Sequence, residues 1–112
     1  MTSTLTHLTL DCTDAAALAS FWSTVLDQPI DDGASPEFAL VKGTPGWMFI
    51  QVPEPKAVKN RMHADLTSDD LAAELVRLKD LGATHLADHI EAGTTWATLA
   101  DPEGNEFDVV AG

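Results

Sequence analysis

The sequence has no tyrosine, a single cysteine and only six basic residues against eighteen acidic ones, for a formal net charge of −12. Each shortage excludes something. Lys and Arg supply the energy of binding to a phosphate backbone or an anionic bilayer, so a chain this acidic is a poor partner for nucleic acid or a membrane surface. A lone Cys12 makes no intrachain disulfide. No apolar run approaches the roughly 20 residues needed to span a bilayer. The opening Met-Thr-Ser-Thr has neither the basic region nor the apolar stretch of a signal peptide, so a soluble cytoplasmic protein is expected.

What is present is ordinary globular material: 112 residues, 45 % of them hydrophobic, enough for one domain over residues 1–112 with a sizeable core. Residues 6–12 alternate, with Leu8, Leu10 and Cys12 on one face and His7, Thr9 and Asp11 on the other, as in a half-buried strand. From Thr13 or Asp14, either a good N-cap, Leu18, Phe21, Trp22 and Val25 recur at helical spacing as far as Pro29. Segments 30–32, 37–42 and 47–52 then read as three short strands, separated by Gly and Pro.

After a proline-bearing connector the order returns. A strand is expected over 61–67, followed by a helix with Leu71, Leu75, Leu78 and Leu81 on one stripe and Gly82 as its stop. Strands follow at 84–89, 95–100 and 106–110, the last two joined by Asp101-Pro102-Glu103-Gly104, which suits a type I turn. The predicted fold is α+β: two tandem βαβββ modules, about 4–53 and 60–111, forming a curled mixed sheet around a cleft with the helices outside.

The repeat carries donors. His63 follows His7 by 56 residues and Asp108 follows Gln51 by 57, so two imidazoles, an amide oxygen and a carboxylate recur at nearly one period. Strand parity places His7, Thr9 and Asp11, then Trp47, Phe49 and Gln51, then His63 and Asp65, and finally Asp108 on the faces turned toward the cleft. Trp47, Phe49 and Trp96 are the expected aromatic surface for a flat or apolar ligand. His85 and His89 share a face by period two, read as solvent-exposed strand histidines, and receive no role. Phe21, Trp22 and Cys12 are expected in the core.

The His7 strand leading to Asp14 and the Phe21-Trp22 helix, the segment Lys59-Asn60-Arg61-Met62-His63, and Asp101-Pro102-Glu103-Gly104-Asn105-Glu106-Phe107 resemble the vicinal oxygen chelate superfamily. That superfamily includes glyoxalase I, bleomycin-type resistance proteins and extradiol dioxygenases, and the likeness is closest to its compact glyoxalase-like branch. The resemblance implies a metal set of His7, Gln51, His63 and Asp108, with Asp108 one methylene shorter than the usual Glu. It also implies a homodimer. Such a set suits a divalent Zn, Ni, Co, Fe or Mn ion acting as a Lewis acid on a small-molecule substrate, with Asp108 as the catalytic carboxylate of a glyoxalase-type lyase or isomerase. The alternatives are a metal-free protein that sequesters a small ligand, and an Fe(II) dioxygenase built on His7, His63 and Asp108.

Overall fold

The computed structural model describes residues 2–112, and the chain divides into two compact units with the boundary between Pro55 and Lys56. In the first unit, β1 (His7–Cys12) leads into α1 (Ala15–Leu26), and β2 (Phe38–Val41) and β3 (Gly46–Gln51) form a hairpin. The sheet order is β1-β3-β2, with β1 parallel and β2 antiparallel to the central β3. The strand expected over 30–32 is reduced to one bridge, Ile30 to Val41, because Pro29 and Gly33 leave too short a run to extend it.

The helix forms where its signals lie. Asp14 caps α1 by accepting from the Ala17 N–H at 3.2 Å, and Asp27 ends it in the left-handed region at φ 52°. The end therefore falls three residues before Pro29. Ala15, Leu18, Ala19, Phe21, Trp22 and Val25 make one buried stripe, which packs on β2 and β3. Phe21 and Trp22 meet edge to face with ring centres 5.3 Å apart.

The second unit is a full βαβββ module. It comprises β4 (Asp65–Ser68), α2 (Leu71–Leu81), β5 (Thr84–Glu91), β6 (Thr94–Ala100) and β7 (Glu106–Ala111), in the sheet order β4-β7-β6-β5. Asp70 caps α2 through the Ala73 N–H, and Gly82, at φ 120°, closes it. Leu78 is the fully buried member of the leucine stripe, and Ala97, Leu99, Phe107 and Val109 are buried with it. β4 starts at Asp65 rather than near Arg61, leaving His63 just ahead of the strand.

Two polar clusters shape the chain around β7. Asp101, 3 % exposed, accepts at Oδ1 from the backbone N–H groups of Glu103 and Asn105 and at both oxygens from the Asn105 amide. The expected turn closes through Gly104 N–H to Asp101 O at 2.9 Å. Glu106 then pins residues 56–60, accepting from the Asn60 N–H and pairing with Lys56 Nζ, each at 3.1 Å. Burial alone would raise the Glu106 carboxyl, but the Asn60 and Glu106 backbone N–H groups and the Lys56 ammonium outweigh it and hold it below the ordinary glutamate value.

Phe49→Ala is expected to cost about 3–5 kcal/mol, since the ring is 0 % exposed in the first unit's core. Urea unfolding measures it. Glu106, with a depressed folded pKa, contributes stability that is fully present above its unfolded pKa and disappears as pH falls through the folded one. The stability gap between wild type and Glu106→Gln should accordingly be open at neutral pH and close on acidification, read from thermal melts across that range.

Candidate functional site in the second unit

The site is built by the parallel pairing of β4 with β7, which sets Asp65 directly beside Asp108 and is anchored by the Asp108 N–H to Ala64 O bond of 2.9 Å. His63 lies at the entry to β4. Its Nδ1 is 2.8 Å from Asp65 Oδ1 and 3.7 Å from Asp108 Oδ2. One ligating atom from each of the three residues falls within 4.8 Å of the others. The Asp108 side chain is 18 % exposed against 59 % for Asp65, so Asp108 is the sheltered member.

The polar strip continues across the sheet on the face away from α2. Thr98, paired with Asp108 on β6, donates its hydroxyl to Asp108 Oδ1 at 2.7 Å. His89 Nε2 lies 3.2 Å from the Thr98 hydroxyl, and the His89 ring stacks on Trp96 at 4.9 Å and 18°. Trp96 thus lies on the Asp108 face, as strand parity implies. Sequence reasoning assigned neither Thr98 nor His89 a role. The alternation of Trp96, Thr98 and Ala100 opposite Ala97 and Leu99 was the signal available for Thr98.

His89 is half-buried rather than an exposed strand histidine, and it does not share a face with His85. A bulge is the reason. His85 pairs with Leu99 but Ala87 pairs with Thr98, so the extra residue, Leu86, breaks the period-two count. His85 instead meets Asp88 Oδ1 at 2.7 Å.

In the first unit the structure separates residues that the sequence reading grouped. Leu8, Leu10 and Cys12 pair with Trp47, Phe49 and Gln51, so all six side chains share the α1 face, while His7, Thr9 and Asp11 lie on the other with Gly46, Met48 and Ile50. Phe49 is buried, and Trp47 packs on Trp22 with ring centres 4.7 Å apart. Phe49 is a core ring, and Trp47, half-buried, lies on the α1 face. Gln51 sits five residues beyond the partner of His7, roughly 16 Å along the strand, and its amide donates to Thr13 O at 3.0 Å. One ion cannot take both His7 and Gln51. The apolar run Trp47-Met48-Phe49-Ile50 lacks the alternation that would have fixed its faces. His7 itself is exposed beside Gly46, where an added Cβ would come within 3.1 Å of the imidazole.

The ladders also show how the two units correspond. The caps Asp14 and Asp70 are 56 residues apart, as are His7 and His63, and Thr9 and Asp65. Thr9 pairs with Met48 whereas Asp65 pairs with Asp108, an offset of 60. Leu40 opposite Met48 answers Thr98 opposite Asp108. The first-unit counterpart of Asp108 is therefore Met48, not Gln51, and that of Trp96 is Phe38, which is 43 % exposed.

A cluster of one imidazole and two carboxylates can hold a hard or borderline divalent cation, leaving coordination positions for substrate oxygens. Like charges directly opposite on neighbouring strands repel, and a cation between them offsets the repulsion.

This α+β architecture of helix-backed mixed sheets is a fold shared with solved structures of glyoxalase/bleomycin resistance protein/dioxygenase type. The chain belongs to the glyoxalase-like domain family, whose model matches residues 7–110. Among solved structures it is similar to a glyoxalase/bleomycin resistance protein/dioxygenase family enzyme from Burkholderia phytofirmans PsJN, with 18 % identity, a TM-score of 0.80 and coverage of 96 % of this chain and 98 % of that one. It is similar also to the E126Q mutant of the fosfomycin resistance protein FosX from Listeria monocytogenes, complexed with Mn(II) and 1S,2S-dihydroxypropylphosphonic acid. There the identity is 14 %, the TM-score 0.81 and the coverage 100 % and 92 %. Lactoylglutathione lyase from Agrobacterium tumefaciens follows at 15 % identity, a TM-score of 0.68 and coverage of 98 % and 94 %. The sequence matches no curated protein.

Proposed function

We propose that this protein acts on a small oxygen-bearing molecule with the help of a divalent ion held by His63 and Asp108, with Asp65 as a further ligand or as the partner that orients His63. The observation that carries this reading is the convergence of three ligating atoms within 4.8 Å in the second unit. The Mn(II) in the FosX complex and the lyase among similar structures support it. A divalent ion at such a site supplies Lewis-acid polarisation of substrate oxygens. The chain's own residues do the rest. Asp65 meets His63 at Nδ1, the nitrogen that also faces Asp108 Oδ2, and Thr98 occupies Asp108 Oδ1. Asp108 Oδ2, on the His63 side and with no hydroxyl donor on it, is left to ligate the ion or, released from it, would be the oxygen to accept a proton from carbon next to a carbonyl, the step shared by lyases and isomerases of glyoxalase type. A homodimer, implied by the family resemblance, and the cytoplasmic location expected from the sequence belong to the same reading.

The second reading, a metal-free binder that sequesters its ligand, is favoured by the Trp96–His89 stack, a flat aromatic surface beside the carboxylates. Metal content separates the two. Elemental analysis and Mn²⁺ or Zn²⁺ titration of the purified protein should find about one ion per chain, and His63→Ala and Asp108→Ala should each weaken binding by at least tenfold. His7→Ala tests the remaining imidazole of the expected set in the same assay. Stoichiometric ion that survives both His63→Ala and Asp108→Ala would move the site elsewhere. An ion-free protein whose Trp96 emission is quenched by a flat ligand would establish the binder.

A further inference from the structure

We infer that Thr98 is a positioning residue for Asp108, and that His89, clamped on Trp96, supplies the hydrogen bond that fixes the direction of the Thr98 hydroxyl. The inference rests on the reading that Asp108 holds a cation and deepens it.

The direction of the chain follows from counting protons. An ionised carboxylate only accepts, so the 2.7 Å contact means that the Thr98 O–H points at Asp108 Oδ1. A hydroxyl has one hydrogen. The 3.2 Å contact to His89 must therefore run the other way, from Nε2–H to the Thr98 oxygen, which places the neutral ring's proton on Nε2. The stack on Trp96 keeps the ring from turning away. The result is a one-way series of donors, His89 to Thr98 to Asp108, ending on Oδ1 and leaving Oδ2 on the side of His63, 3.7 Å from Nδ1.

Asp108 needs such a hold because Asp65 stands beside it in register and repels it. With Oδ1 tied across the antiparallel pair, the carboxylate cannot swing away from Asp65 before a cation arrives. The first unit shows that the fold does not require this arrangement. The corresponding positions there are Leu40 and Met48, which exchange no hydrogen bond through their side chains. Thr98 and Asp108 thus replace an apolar pair on the same kind of ladder.

Thr98→Val removes the hydroxyl and keeps the shape; Thr98→Ser keeps the hydroxyl. With Mn²⁺ alone as probe, followed by the electron paramagnetic resonance of the free ion, Thr98→Val should weaken binding about 10–100-fold, and Thr98→Ser should stay within about threefold of wild type. Two-bond ¹H–¹⁵N correlation spectra of ion-free protein, under conditions where the ring is neutral, should show His89 protonated on Nε2 in wild type and Thr98→Ser but a mixture of tautomers in Thr98→Val. Unchanged Mn²⁺ affinity in a folded Thr98→Val, or His89 protonated on Nδ1 in wild type, would overturn the inference. If wild type takes up no ion, the metal reading fails and the tautomer spectra alone decide the role of Thr98.

Discussion

Because a parallel neighbour cannot be reached by a tight turn, the chain leaving β4 must run through α2, β5 and β6 before β7 can lie alongside, and that crossover is what brings the site together. The α2 face of the sheet, with Leu78, Ala97, Leu99, Phe107 and Val109, is where burial stabilises the crossover. The opposite face inherits its positions from that packing. With Val109 committed to the core, Asp108 has to point the other way, and the register then puts it between Asp65 and Thr98. The site is thus fixed by an apolar constraint on the far side of the same strands.

Much of this was legible in the residues. Asp14 and Gly82 carry cap chemistry that reads directly, and α1 starts and α2 stops where those signals lie. Asp101-Pro102-Glu103-Gly104 announces its turn, although the near-complete burial of Asp101 is visible only once the Asn105 amide is seen to bond it. Alternation worked where one face is polar, as in His7 to Cys12. It failed where both kinds of position are apolar, as in Trp47 to Ile50, and where Leu86 inserts an extra residue between His85 and Ala87. The strand expected over 30–32 failed for another reason, since three residues between Pro29 and Gly33 can make a bridge but not a ladder.

The equivalence of Gln51 with Asp108 expected from the repeat fails on spacing. A constant period near 56 or 57 residues assumes that every connector has the same length in both copies. The ladders show otherwise, with the offset rising from 56 at the first strand to 58 between Leu40 and Thr98 and 60 between Met48 and Asp108. Gln51 lies three residues past the true counterpart of Asp108 and on the opposite face of its strand. Register, which depends on backbone pairing, is the quantity that a count along the sequence does not contain.

The corrected correspondence separates what the fold needs from what it does not. Both units hold a parallel pair flanked by an antiparallel strand, both bury alternate apolar residues against a helix, and both begin near a histidine. The first does this with Thr9, Met48 and Leu40 at the three central positions of the other face; the second uses Asp65, Asp108 and Thr98. Since the ladder forms without carboxylates, backbone pairing does not explain two acids set side by side in a chain already carrying a net charge of −12. Their mutual repulsion opposes the pairing of β4 with β7 and has no counterpart in the first unit. Residues that work against the local structure they occupy, while a hydroxyl and an imidazole hydrogen-bond them there, are what the proposed ion site requires and what strand stability does not.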